Sequence, residues 1–210
     1  MQNTSRHIEH FEYTIDYGFW GNAAAEQPAS LRRRDHSELT VACLIVHAVA
    51  RTLVKFRQFC CAVDGSDYVE NLTFADPICV HWEVHVDGTI QSHRSVTSPQ
   101  DLTLAELGRI LHRPDGGIDN SASSEEDPLG EPAFVVRHCE GSARDADLDP
   151  ASVAAALLLS EPAADGDQNV TATASTLAAR LTYDRRIISH TDVLDFVAAF
   201  ENNLRSTTRS

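Results

Sequence analysis

The segment YDRRIISH, residues 183–190, runs directly into TDVLDFVAAFENNL, residues 191–204, and together they are the most informative part of the sequence. The second segment places its large apolar side chains on one face of a helix: Val193, Phe196, Val197, Phe200 and Leu204. The segment before the loop, residues 169–183, is rich in Thr and Val and predicts a long strand. We therefore expect this part of the chain to form a strand, a short charged loop and an amphipathic helix.

Working outward from this stretch, the sequence predicts further strands and helices. Alternating or β-branched runs bounded by turn residues predict strands at His10–Tyr17, Phe74–Val86, Thr89–Val96, Ala133–Arg137 and Val153–Ser160. A long apolar segment after a Ser N-cap predicts a buried helix at Ser37–Phe59, and an amphipathic pattern predicts a second helix at Thr103–Leu111.

The predicted order of strands and helices favours an α/β fold with a mixed sheet. A parallel dinucleotide-binding sheet is disfavoured, because the sequence has no Gly-rich phosphate loop and too few crossover helices. With 210 residues and 42% hydrophobic composition, the chain is long enough for one well-filled core. We predict a single domain, residues 1–210, with a flexible Gly-, Pro- and acid-rich loop at residues 113–132.

Composition excludes several classes of function. The net charge of −14 would repel nucleic-acid phosphates and anionic lipids. No apolar run reaches the ~20 residues of a membrane span, and the first residues have no signal-peptide core. The five cysteines are odd in number and have no metal-type spacing, which predicts reduced thiols. We therefore expect a cytoplasmic protein that binds neither nucleic acid nor membrane.

A His-rich strand was the one candidate metal site. The segment HWEVH, residues 81–85, places His81, Glu83 and His85 on one face of a strand. Because the two His residues are four positions apart, they lie roughly 13 Å from each other on a strand, too far to share one ion. We therefore predict no metal site, and a polar strand face that lines a channel, a subunit interface or solvent.

Four segments, in order, resemble the chloramphenicol acetyltransferase family and the catalytic domains of 2-oxoacid dehydrogenase acyltransferases. They are LTVACLIVHAVARTLVKFRQFCCAVDG (39–65), HVDGTIQSHRSVTSPQDLTLAELGRIL (85–111), LDPASVAAALLLS (148–160) and YDRRIISHTDVLDFVAAFENNL (183–204). The resemblance implies a two-layer fold with helices on one side of the sheet, and a homotrimer with active sites between subunits. It also implies a CoA thioester as co-substrate and no tightly bound cofactor.

The last segment departs from the family's motif, which reads roughly Y-D-H-R-x-x-D-G with the His as general base. Arg185 stands at the position of that His, Ser189 at the Asp and His190 at the Gly. A guanidinium is protonated at any usable pH and has no lone pair to accept a proton. Arg185 can instead bind a carboxylate, phosphate or oxyanion, or simply pair with an acidic neighbour such as Asp184. Ser189 and Asp192 have the spacing of a helix capping box.

Two other His residues are candidates to replace the missing base. His138, in AFVVRHCEG (133–141), falls at or near the family's oxyanion-stabilising Ser, and His190 lies one short loop from Arg185. An unperturbed His titrates near ~6.5, which suits a general base at neutral pH. We therefore take Arg185, His138 and His190 as the candidate catalytic residues.

Two functions follow as hypotheses. The first is a divergent acyltransferase-fold enzyme of bacterial natural-product metabolism. It would act on an acyl thioester or small metabolite, presented free or on an acyl carrier, by acyl transfer, elimination or cyclisation. The second is a non-catalytic trimeric binding or scaffold protein, favoured by the loss of three motif residues together.

Overall fold

The computed structural model describes residues 7–16, 41–63, 72–112, 133–140, 153–160 and 176–207. The strands are β1 (Ile8–Asp16), β2 (Cys61–Val63), β3 (Leu72–Phe74), β4 (Cys79–Val86), β5 (Thr89–Thr97), β6 (Phe134–Glu140), β7 (Ala155–Ser160) and β8 (Thr176–Asp184). The α-helices are α1 (Val41–Leu53), α2 (Leu104–Leu111) and α3 (His190–Thr207). Single 3₁₀ turns form at Arg57–Phe59 and Pro99–Asp101. The predicted loop 113–132, the proposed N-cap Ser37 and residues 169–175 of the predicted last strand lie outside the described residues.

Six strands form one mixed sheet in the order β1-β8-β7-β6-β4-β5. The central pairs β4–β6 and β6–β7 are parallel, whereas β1–β8, β7–β8 and β4–β5 are antiparallel. Strands β2 and β3 form a separate antiparallel pair. The N-terminal strand β1 thus lies beside β8, the strand that leads into the charged loop.

The helices cover one face of the six-stranded sheet, which we call the helix-facing side. Alternate strand residues such as Trp82, Val136, Leu157 and Leu181 belong to the same buried cluster as the apolar residues of α1 and α3. The closest aromatic contact in this layer is Phe59 stacked on Phe196 of α3, with ring centroids 4.3 Å apart. The predicted two-layer α/β fold, with a mixed sheet and helices on one side, is confirmed.

The opposite face of the sheet, which we call the second face, has a different composition. The strand register places polar and charged residues there: His81, Glu83, His85, His93, Ser95, Arg137, Arg180, Thr182, His10 and Glu12. A small apolar cluster of Cys139, Ala156 and Leu158 packs between them. The prediction that His81, Glu83 and His85 share a polar strand face is therefore confirmed.

Two predicted elements differ from the structure for local reasons. The single strand predicted at Phe74–Val86 is wrong: β3 ends at Phe74 and β4 begins at Cys79. Pro77 lies between them, and proline lacks the N–H group that a ladder requires. The strand predicted at Ala133–Arg137 continues to Glu140, because β6 is paired on both sides, by β4 and β7.

No helix in the described part of the chain is long and apolar enough to cross a membrane. Within the same residues, no group of three or more His, Cys, Asp or Glu side chains is arranged to hold a metal ion.

Candidate functional site

The loop between β8 and α3 keeps a fixed shape through hydrogen bonds of its own residues. The buried Asp184 carboxylate accepts from the backbone N–H of Arg186 at 2.9 Å and from its Nε at 3.0 Å. The amides of Ile187 and Ile188 bond to the carbonyl of Asp184 at 3.1 and 3.0 Å. Asp184 and Arg186 therefore form the ion pair that holds the loop.

Arg185 points away from that pair and contacts β1. Its Nη1 donates to Glu9 Oε1 at 3.3 Å, and its backbone N–H donates to the carbonyl of His7 at 2.9 Å. The other Glu9 oxygen accepts from the Tyr183 hydroxyl at 2.9 Å. The sequence suggested Asp184 as the acidic partner of Arg185, which is wrong: Asp184 pairs with Arg186, and Arg185 pairs with Glu9.

At this corner the Tyr183 hydroxyl and the Arg185 guanidinium both donate to the Glu9 carboxylate. Burial and the contact with Glu9 raise the pKa of Tyr183 to about 12, so its hydroxyl stays protonated at neutral pH. The Arg185 side chain remains 54% exposed despite its ion pair. A guanidinium with spare donors can bind a carboxylate, a phosphate or an oxyanion, but it cannot accept a proton.

Ser189 begins helix α3 through a capping box. Its Oγ accepts from the backbone N–H of Asp192 at 3.2 Å, and the Asp192 carboxylate accepts from the Ser189 backbone N–H at 2.9 Å. The hydrogen bonds from the Ser189 hydroxyl and N–H lower the pKa of Asp192. The predicted capping box is confirmed.

His190, the first residue of α3, lies at the same corner as Arg185. Its ring meets the edge of Phe11 with centroids 5.8 Å apart, and Phe11 is two residues from Glu9 on the same face of β1. The side chain is exposed. The structure thus brings Arg185 and His190 to neighbouring positions over β1.

His138 lies elsewhere. Its half-buried ring stacks on Trp82, with centroids 6.0 Å apart, on the helix-facing side. The register aligns His138 with Leu159 and Leu159 with Ala179. The strand from Ala179 to Asp184 spans about 17 Å, and two further strand spacings add about 10 Å sideways. Within one chain, His138 and Arg185 are therefore on the order of 20 Å apart, and a catalytic role for His138 stays a prediction.

A second group of charged side chains lies on the second face, across the parallel pair β4–β6. His85 Nε2 is 3.0 Å from Glu83 Oε2, and Arg137 Nε donates to the same oxygen at 2.9 Å. Burial alone would raise the pKa of Glu83, but the hydrogen bonds and charges of His85 and Arg137 outweigh it and hold that pKa below its usual range. Glu83 is therefore an ionised carboxylate between two nitrogen donors.

Comparison with solved structures identifies the architecture. The chain is similar to a probable dihydrolipoamide acetyltransferase from Listeria monocytogenes, with 16% identity, a TM-score of 0.70, and coverage of 97% of this chain and 87% of that one. It is also similar to a chloramphenicol acetyltransferase, with 11% identity, a TM-score of 0.56, and coverage of 96% and 88%. The chain has the fold of these acyltransferases. No protein-family model and no curated protein matches the sequence.

The acyltransferase fold also extends to larger proteins. The chain is similar to the X-domain in a complex of that domain and OxyB from teicoplanin biosynthesis, with 13% identity and a TM-score of 0.52. That match covers 98% of this chain and 46% of the other.

The sequence alone did not reveal Glu9, Tyr183 or Arg137. Glu9 was not considered as the partner of Arg185, nor Tyr183 as a second donor to Glu9, and no local signal marks Glu9, which lies 176 residues from Arg185 in the chain. Arg137 was also missed, although an arginine inside the apolar strand AFVVRHC was a visible signal. An isolated charge at such a position needs a buried partner, and the polar strand 81–85 supplied the residues to provide one.

Proposed function

We propose that this chain is a divergent enzyme of the acyltransferase fold that acts on an acyl thioester or a related small metabolite. It works as a homotrimer in bacterial cytoplasm, in natural-product metabolism, and takes its substrate as a CoA thioester or from an acyl carrier. Its reaction is acyl transfer, elimination or cyclisation, carried out without a base at the motif position. CoA enters as a co-substrate and not as a resident cofactor.

The observation that carries the proposal is the half-exposed charge of Arg185 on a loop of defined shape. The Asp184–Arg186 pair and the Ser189–Asp192 cap keep the strand–loop–helix in a defined shape, while the residue at the base position presents a half-exposed cation. An anchor for an anionic group of the substrate, such as a phosphate or a carboxylate, fits the geometry.

The test compares two arginines near the C-terminus. Transfer of the acetyl group from acetyl-CoA to dithiothreitol is followed by mass spectrometry, with Arg185→Gln against a control, Arg205→Gln. Arg205 is exposed on α3 and pairs with Glu201 of the same helix. We expect Arg185→Gln to raise KM for acetyl-CoA about tenfold, the value of one charge-assisted hydrogen bond of ~1.5 kcal/mol, while kcat changes little and Arg205→Gln behaves as the parent.

The alternative is a non-catalytic trimeric binding or scaffold protein, and one observation favours it. Glu9 pairs with Arg185 and also accepts a hydrogen bond from Tyr183, as expected of a surface ion pair with no ligand. The X-domain that this chain resembles was solved in a complex with another protein. A well-folded trimer with no turnover of any acyl thioester would favour this alternative over the enzyme.

A further inference from the structure

The cluster on the second face has the geometry of an oriented base beside a cation. Glu83 Oε2 accepts from both His85 and Arg137, at 3.0 and 2.9 Å. Because an ionised carboxylate only accepts hydrogen bonds, Nε2 of a neutral His85 carries the ring hydrogen. Its lone pair is then on Nδ1, the nitrogen that points away from Glu83. A carboxylate that fixes the tautomer of a His in this way is the orienting half of a catalytic triad.

Both partners keep hydrogen-bonding capacity beyond the contact with Glu83. Within the described residues, His85 and Arg137 make no hydrogen bond other than the one each forms with Glu83. Nδ1 of His85 and the two Nη groups of Arg137 therefore keep their lone pair and their donors for another group, although the two side chains are only 7% and 17% exposed.

Strand β5 is irregular opposite His85. Val84 is opposite Ser92 and His85 is opposite Ile90, so β5 carries one extra residue, Gln91, while β4 keeps its register with β6 through His85. Irregularities of this kind are frequent beside active sites. The irregularity of β5 lies directly beside His85.

We propose, on the basis of the proposed function, that His85 is the general base of this enzyme and that Arg137 stabilises the oxyanion. Glu83 is the positioning residue that holds both. The substrates are an acyl thioester and an acceptor with a thiol or hydroxyl group. This base is distinct from Arg185, His138 and His190.

The step balances with these groups alone. The acceptor S–H or O–H gives its proton to His85 Nδ1 as its sulfur or oxygen bonds to the thioester carbonyl carbon. The carbonyl oxygen gains negative charge, and the Arg137 Nη groups donate hydrogen bonds to it. The carbon–sulfur bond of the donor then breaks, and the leaving thiolate takes the proton back from His85.

Several titratable groups of the described residues face the cluster. Glu83 and Arg137 contact each other directly, Cys139 lies on the same face beside His85, and His81 and His93 lie on the other side of Glu83. A general base accepts a proton only in its unprotonated form, so the pH profile of the parent enzyme should have an acid limb. A purely structural His85 would give no such limb.

The experiment measures kcat/KM for acetyl transfer from acetyl-CoA to dithiothreitol. Removal of a general base costs ~100-fold or more, so we expect a loss of at least about 100-fold in His85→Gln, with the acid limb of the pH profile abolished. The matched control is His10→Gln, the same substitution at an exposed His on the second face, which should leave activity unchanged. Arg137→Lys, which keeps the charge but not the fork, should lower kcat and leave KM for acetyl-CoA nearly unchanged.

Chemical rescue separates catalysis from folding. Added imidazole should restore part of the activity of His85→Ala, which a residue with only a structural role would not allow. A parent enzyme that turns over acetyl-CoA while His85→Gln keeps its rate and pH profile would overturn this inference and leave the proposed function standing. A parent trimer with no turnover of any acyl thioester would overturn the proposed function, and the assignment of His85 with it.

Discussion

At the scale of single residues, the loop after β8 uses different side chains to hold its backbone and to present a charge. Asp184 and Arg186 hold the backbone, Ser189 starts the helix, and the Arg185 guanidinium is half-exposed. Because a guanidinium has no lone pair, no adjustment of its surroundings turns it into a base. Any proton transfer in this protein must therefore use another residue.

The capping box gives the first prediction at this scale. Ser189→Ala removes the acceptor for the Asp192 N–H and should lower the free energy of unfolding by about 1 kcal/mol. Thr191→Ala, at an exposed position of the same first turn, is the control and should change it by less than about 0.5 kcal/mol. Urea unfolding followed by circular dichroism measures both. Equal effects of the two substitutions would mean that Ser189 is not the cap.

The second prediction concerns pH. Burial, and then the nearby His93, lower the pKa of His81, while Glu83 opposes them. The unfolded chain, in which His titrates near ~6.5, therefore binds a proton that folded His81 resists. The free energy of unfolding should fall as pH drops below about 6.5, and His81→Gln should make this fall shallower. His10→Gln is the control. If His81→Gln leaves the slope of the unfolding free energy against pH unchanged, His81 does not cause the loss of stability at acid pH.

Local and distant contacts differ in how far the sequence predicts them. The Ser189–Asp192 cap was predictable because its two residues are three positions apart, within one helical turn. The partner of Arg185 was not, because it depends on β1 pairing with β8 in a register that places Glu9 opposite Tyr183. No pattern in the sequence near residue 185 indicates that β1 pairs with β8.

At the scale of elements, α3 is held by an aromatic cluster that its periodicity already indicated. Phe196 is fully buried, stacks on Phe59 and meets the rings of Phe56 and Phe134 at 5.8 Å. The one face of apolar residues predicted from the sequence is the face that packs on α1 and the sheet. The sequence did not indicate which strands lie beneath this apolar face of α3.

Phe196→Ala tests this packing. Removal of a fully buried Phe leaves a cavity and costs about 3–5 kcal/mol. Leu194→Ala on the same helix is the control, because Leu194 is 47% exposed, and should cost under about 1 kcal/mol. Chemical denaturation measures both. A small loss for Phe196→Ala would mean that α3 does not pack on the sheet through this residue.

The pairing of β4 with β6 carries a further prediction. Glu83 and Arg137 are mostly buried, with 12% and 17% of their side chains exposed. Removing one partner leaves the other charge uncompensated, so Arg137→Met should destabilise the protein by about 3–5 kcal/mol. The double variant Glu83→Gln with Arg137→Met should lose less than the sum of the single losses. Additive losses in this double-mutant cycle would show that the two side chains are not coupled.

At the scale of the whole molecule, the predicted α/β class and two-layer arrangement are confirmed, but the topology needed the structure. In the strand order β1-β8-β7-β6-β4-β5, the first and last of the described strands lie side by side at one edge of the sheet. That order places His138 about 20 Å from the loop after β8, which strand periodicity alone cannot reveal. It also separates the corner of Arg185 and His190 from the second-face cluster of His85, Glu83 and Arg137.

We propose that this fold still binds an acyl thioester. The most direct measurement is isothermal calorimetry of acetyl-CoA and CoA against protein whose mass in solution has been determined by light scattering. We predict a trimer that binds acetyl-CoA with a Kd on the order of 1–100 μM, or about −8 to −5.5 kcal/mol. A stable trimer that binds neither acetyl-CoA nor CoA would contradict it.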